Sequence, residues 1–179
     1  MIHLTYFVHG TTTDNEKEIS SGWNDPPLSE IGRGHAAGNK VGIRDRKIDV
    51  AFCSDLVRAV DSAHIIFDGI APVIEDARLR ECNYGTDNGK PSSVVESLCE
   101  QMITKKFPEG ESYEDVKARV ADFLKFLKEK YDGKHVAIVA HKAPQLALDV
   151  LLKEKTWEQA FAEDWRKTKS WQPGWGYEL

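Results

Sequence analysis

The chain has little of what metal or redox chemistry needs. Three of its 179 residues are cysteine, Cys53, Cys82 and Cys99. They are odd in number, without metal-like spacing, and neither a CxxC nor an HExxH occurs. No structural zinc or other metal site is therefore expected, and the thiols read as core or inert. Positive charge is also short: 24 Lys and Arg stand against 29 Asp and Glu, a formal net charge of −5. With no Lys/Arg run, a dedicated nucleic-acid surface is excluded, and any anion must be met by local charge. No apolar stretch approaches the roughly 18 residues of a membrane-spanning helix. The opening MIHLTYFVHG is too short, and too polar beyond Gly10, for a signal peptide. A reduced cytoplasmic protein with no membrane partner is the expectation. Repeats and low-complexity linkers are absent too. What is present is 41% hydrophobic and 30% charged residues, enough for one packed domain over residues 1–179. Four of the five tryptophans (Trp157, Trp165, Trp171, Trp175) crowd the C-terminal segment, where a core role is expected.

Short apolar runs alternate with amphipathic stretches. Ile2 to Val8, Ile48 to Cys53, Pro72 to Ile74 and His135 to Ala140 read as strands. Helices are expected from Ser29 to about Val41, after Ser54-Asp55, from Ser93 to about Lys106, after Ser112, from about Ala143 to Lys153, and after Thr156. Ser93 with Glu96 and Thr156 with Gln159 have capping-box spacing. Thr11 to Leu28 is a long polar loop, of the length that usually carries function. The C-terminal end, with Pro173, Gly174 and Gly176, is expected to finish in a short strand. This alternation implies an α/β fold, three-layer α/β/α with a mostly parallel central sheet.

In such sheets ligands sit at the carboxyl ends of the strands. His9 ends the first strand, Ser54-Asp55 with Arg58 follows the second, and His141 follows His135–Ala140. Either histidine alone is an ordinary strand cap. Two at equivalent strand ends, with a guanidinium on the first turn of a helix, point to a small anion pocket.

The blocks around these residues resemble the histidine phosphatase superfamily, the phosphoglycerate-mutase-like enzymes. His9-Gly10-Thr11-Thr12-Thr13-Asp14-Asn15 is similar to the family's Arg-His-Gly signature. Ser21-Gly22-Trp23-Asn24-Asp25 with Pro27-Leu28-Ser29 and Gly32 looks like its next block. Ser54-Asp55-Leu56-Val57-Arg58-Ala59 with Ser62-Ala63 resembles its second phosphate-binding block. Leu79-Arg80-Glu81 with Tyr84-Gly85, Gly110-Glu111-Ser112 with Arg119, and Val139-Ala140-His141 follow in the family's order. The resemblance implies a phosphoglycerate-mutase-like fold and a neutral His9 that attacks phosphorus to form a phosphohistidine. It implies that Arg58 and His141 bind phosphate, where fixed donors meet charge spread over the equatorial oxygens. Glu81 matches the general acid, which must carry a proton when the ester leaves. Asn15, Ser21 and Gly22 match substrate-contacting positions. The implied partner is a small phosphorylated substrate or phosphate, with no cofactor; a homodimer is compatible.

Two positions depart from the family. The residue before His9 is Val8 rather than arginine, by substitution or by loss of one residue, so one pocket guanidinium is missing. Losing such a donor to the transition state costs about 3–4 kcal/mol, about a hundred- to thousandfold in rate. After His141, where a small residue is usual, stands Lys142, whose ammonium is placed to enter the pocket or to point to solvent. The long insertion and paired arginines of the mutase branch are absent, so a weakened phosphomonoester phosphatase is expected ahead of a mutase. A non-catalytic binder of phosphorylated ligands is the alternative.

Overall fold

In chain order the elements are β1 (His3–Val8), β2 (Ile19–Ser20), α1 (Glu30–Ile43), β3 (Val50–Cys53), α2 (Val57–Phe67), β4 (Val73–Glu75), β5 (Lys90–Pro91), α3 (Ser92–Leu98), α4 (Tyr113–Lys130), β6 (His135–Ala140), α5 (Lys142–Leu152), α6 (Trp157–Ala162), α7 (Trp165–Thr168) and β7 (Trp175–Glu178). The computed structural model describes residues 1–43 and 46–179. Five strands form one sheet in the order β4-β3-β6-β1-β7. The first four are parallel, and β7 pairs antiparallel with β1 at the edge.

Period-two alternation sorts the strand residues between two cores. Leu4, Tyr6, Val50, Phe52, Val136 and Ile138 face the stripe Val116, Val120, Phe123, Leu124 and Leu127 of α4 and Leu146 of α5. Phe7, Ala51, Cys53, Ala137 and Val139 face Ala36 and Ile43 of α1 and Ala63, Ile66 and Phe67 of α2. The three layers expected from the sequence are thus present. The chain leaves β1 for α1 on one face and leaves β6 for α5 on the other. β1 and β6 are neighbours, so a crevice opens between their carboxyl ends, the usual ligand position in open α/β sheets.

Three expectations need correction. α3 ends at Leu98, not near Lys106, because the Met102 and Ile103 carbonyls accept from the Tyr113 and Glu114 N–H groups at the start of α4. The Ser93–Glu96 capping box is absent: Pro91 stands at the N-cap, and the Glu96 carboxylate turns to Lys142 Nζ at 3.3 Å. By contrast, Ser112–Asp115 and Thr156–Gln159 both close capping boxes. Of the C-terminal tryptophans only Trp157 is core; Trp171 is exposed, and Trp165 and Trp175 are half-buried and stacked. They belong to the edge of the sheet, where β7 has solvent on its outer side. The 11–28 loop contains a short 3-10 turn and β2, which pairs with β5. Among the described residues no helix is long and apolar enough to cross a membrane.

Candidate active site

Residue-for-residue pairing of β1 with β6 places Val8 opposite Ala140. His9 and His141 therefore leave the sheet at the same level, with ring centroids 4.9 Å apart. Gly10 and Gly32 allow the first turn of α1 to approach. A Cβ on Gly10 would overlap the Gly32 carbonyl, and one on Gly32 would overlap that of Thr11. The Gly10 N–H donates to Ser62 Oγ at 2.9 Å, and that hydroxyl donates to the Arg58 carbonyl at 2.7 Å. The His9 loop, α1 and α2 are locked together in this way.

Hydrogen bonding selects the state of each imidazole. His9 Nδ1 lies 2.7 Å from the Gly10 carbonyl, which can only accept, so Nδ1 carries the proton and Nε2 keeps its lone pair. Burial first, and then the Arg58 guanidinium, lower its pKa to about 3, so the ring is neutral at ordinary pH. His141 is fully buried. Burial and Arg58 likewise push its pKa well below the usual histidine value. Its Nε2 is 2.8 Å from Ser54 Oγ, which already accepts from the Leu56 N–H. The Ser54 proton is best used toward Nε2, which leaves the His141 proton on Nδ1, an atom with no protein partner.

Arg58 is 2% exposed. Its Nη1 donates to the Asn24 carbonyl at 2.9 Å and its Nη2 to that of Gly22 at 2.7 Å. Those bonds use two of five guanidinium N–H groups. The Asp25 carboxylate, 3.8 Å away, caps α2 by accepting from the Val57 N–H. Glu81 stands at the start of α5: Oε1 accepts from the Cys82 and Ala143 N–H groups, both at 2.9 Å, and Oε2 from that of Lys142 at 3.2 Å. Its own carbonyl accepts from Trp23 Nε1 and from Arg119 Nη2. Arg119 also donates to the Arg78 and Arg80 carbonyls and pairs with Glu111, so one side chain bolts the whole acid-bearing turn. Arg80 forks onto Asp55 and covers the Trp23 ring at 4.6 Å.

A cavity of about 310 Å³ opens here, with His9, Arg58, Glu81, Asn15, Ser21, Gly22 and Lys142 on its walls. The structure thus gathers seven of the eight residues singled out from sequence; His141 sits beside His9 without bordering the cavity. Asn15 Oδ1 accepts from the Thr12 N–H, which leaves its amide N–H groups as the end available to a ligand. Ser21 Oγ donates to Asp14 at 2.9 Å. The Lys142 ammonium does not point to solvent. It is 15% exposed, between Glu96 at 3.3 Å and Asp164 at 3.6 Å. Among the described residues no group of three His, Cys, Asp or Glu side chains could hold a metal ion. The Cys53 thiol, pushed up to about 12 by burial, is not a nucleophile at ordinary pH.

The family model of the histidine phosphatase superfamily (branch 1) matches residues 6–173. The chain belongs to that superfamily. As a histidine phosphatase superfamily member it is 34% identical to a 2,3-bisphosphoglycerate-dependent phosphoglycerate mutase of Cytophaga hutchinsonii, over 74% of this chain and 68% of the relative. It is also 34% identical to the Bos taurus fructose-2,6-bisphosphatase TIGAR, over 69% of this chain. That match spans about half the relative's length, 50%. Among solved structures, a mycobacterial glucosyl-3-phosphoglycerate phosphatase superposes with a TM-score of 0.77 and 27% identity, covering 89% of this chain and 86% of that one. A phosphoglycerate mutase from Bacillus anthracis shares the fold with a TM-score of 0.73 at 23% identity, over 86% of this chain and 80% of that one. Phosphoglycerate-mutase-like architecture is thus shown, and phosphatases and mutases both occur among the relatives.

Sequence reasoning missed parts of this superfamily member's site. Nothing in the Ser54-Asp55 block marks Ser54 as the partner of His141. Arg166, from α7, borders the cavity although it lies outside every block that suggested the family. The only signal nearby was the tryptophan cluster around it.

Proposed function

We propose that the chain is a phosphomonoester phosphatase working through a phosphohistidine on His9. The observation that carries this reading is the state of His9: neutral, with Nδ1 committed to Gly10 and Nε2 free, on the wall of a cavity it shares with Arg58 and Glu81. The Nε2 lone pair attacks phosphorus, and the bond from phosphorus to the ester oxygen breaks. The leaving oxygen takes a proton from Glu81, which lines the same cavity as His9. Water then attacks phosphorus and the P–N bond breaks. Glu81 recovers a proton from that water, and orthophosphate is released. Arg58 spares donors for the equatorial oxygens, and the unpartnered His141 N–H lies beside His9.

One feature favours the alternative of a non-catalytic binder of phosphorylated ligands: Val8, an apolar residue, borders the cavity directly before His9. Hydrolysis of a phosphomonoester at mildly acidic pH separates the two readings. With a labelled ester, rapid alkaline quenching should trap a protein-bound phosphate that is acid-labile and lost in His9→Ala. Turnover should fall at least about a thousandfold in that variant. Activity unchanged by His9→Ala would remove the nucleophile assignment, and binding without turnover in the wild type would establish the alternative.

A further inference from the structure

Three buried side-chain atoms among the described residues lack a hydrogen-bond partner: His141 Nδ1, Arg166 Nη2 and Asp164 Oδ2. An unmet buried donor costs about 1–3 kcal/mol and calls for an explanation. Two of the three belong to the short segment that brings Arg166 to the cavity that Val8, His9 and Lys142 also line. We propose that Arg166 is a phosphoryl-binding residue of this cavity, its free Nη2 donating to a non-bridging oxygen of the bound phosphomonoester. This rests on the reading that the cavity takes phosphomonoesters.

The mismatch with Asp164 is the first argument. Arg–carboxylate pairs frequently use the bidentate fork, with two parallel N–H to oxygen bonds, but Asp164 also caps α7, its Oδ1 accepting from the Arg166 main-chain N–H at 3.1 Å. Here Asp164 accepts from Arg166 only through Oδ1, at 2.8 Å from Nη1, and its Oδ2 lies 3.6 Å from Lys142 Nζ. One guanidinium nitrogen, the buried Nη2, is left without a partner on a side chain that borders the cavity. Secondly, the group is held ready. Its guanidinium lies 4.4 Å from the Trp165 ring centroid. Trp165 in turn stacks on Trp175 at 5.4 Å and donates from Nε1 to Gln145 at 3.1 Å. A side chain ordered before binding loses less entropy on binding. Thirdly, Arg166 is near enough to add, after burial and Arg58, a minor contribution that disfavours the protonated forms of both His9 and His141. Val8 brings no charge to the cavity, so Arg166 supplies from the far end of the chain a cation that the residue before His9 does not.

The test is orthophosphate affinity by calorimetry, with kcat/KM on p-nitrophenyl phosphate and the thermal midpoint, for wild type, Arg166→Met and Arg166→Lys. Methionine keeps the apolar stem against Trp165 and removes the donors. Arg166→Met should weaken orthophosphate binding about ten- to hundredfold, the range of one hydrogen bond to a charged group. It should lower kcat/KM at least as much. Lysine, which keeps the charge but not the fork, should fall between. Unchanged phosphate affinity in Arg166→Met overturns the proposal, as does an affinity loss that comes with an equivalent fall in the thermal midpoint in both variants, since that marks packing alone. A phosphate site lost in Arg166→Met in a protein without turnover would sink the phosphatase reading and keep this one. His9-dependent turnover and phosphate binding both indifferent to Arg166→Met would do the reverse.

Discussion

On the floor of the cavity the reactive side chains are held largely by main-chain groups: His9 by the Gly10 carbonyl, Arg58 by the carbonyls of Gly22 and Asn24, Glu81 by three N–H groups. On the C-terminal wall, side chains hold one another, Arg166 by Asp164 and the Trp165 ring, and Trp165 by Trp175 and Gln145. Main-chain partners move only if the fold moves, so the floor is rigid and intolerant of substitution. A stacked wall can be altered residue by residue at small structural cost. Under the proposed function, reaction chemistry falls to the floor and the tightness of anion binding to the wall.

The sharpest break of this contrast is Arg58→Ala. It strips the Gly22 and Asn24 carbonyls of their donor and removes a cation from the floor. Turnover should drop about a hundred- to thousandfold, and stability by about 2–4 kcal/mol in urea denaturation. A variant that loses only affinity would place Arg58 with the wall. Next comes Arg119→Met, which touches no substrate but frees the Arg78, Arg80 and Glu81 carbonyls. Here kcat should fall about tenfold with KM little changed, and stability by about 1–3 kcal/mol. An unchanged kcat would show that the acid-bearing turn needs no bolt.

The pH dependence of stability carries a contribution from the floor, which a variant isolates. The folded pKa of His9, about 3, lies below the ordinary 6.5. The unfolded chain therefore binds more protons between those values, and stability must fall as pH drops through that window. One such group contributes at most about 1.4 kcal/mol per pH unit. His141 is displaced in the same direction. His9→Gln should make the decline shallower, and parallel slopes in denaturant titrations would contradict the burial of a neutral His9. The smallest effect is expected on the wall. Trp165→Ala should raise KM about threefold while kcat stays near the wild-type value, since Arg166 loses its ring but keeps Asp164. A large kcat loss there would erase the distinction between floor and wall.

Legibility followed the range of the forces involved. β6 was readable to the residue because a buried parallel strand is a continuous apolar run, His135 to Ala140. α4 was readable because its stripe and the break at Gly133 are local patterns. His9, Arg58 and Glu81 were assignable because each sits beside a strand end or within a recognisable block. The β2–β5 pairing was not, since Ile19 and Pro91 meet only after the chain between them has folded. α3 was overextended because the competing use of the Met102 and Ile103 carbonyls comes from α4, outside any local window. Lys142 was undecided on the same ground: its neighbours, Glu96 and Asp164, are remote in sequence.

Scarcity of cysteine and basic runs, the alternation of strands and helices, and the ordered blocks determined from the sequence alone an α/β histidine phosphatase superfamily member, with His9, Arg58 and Glu81 beside one another. They also exposed its gap, a valine before the histidine. Only the tertiary structure decided what stands beside that gap. Arg166 reaches the cavity because the segment after α6 folds back past the end of β1 before β7 pairs with it. That placement depends on Trp165 reaching Gln145 and Asp164 approaching Lys142, contacts with α5 that no local pattern encodes.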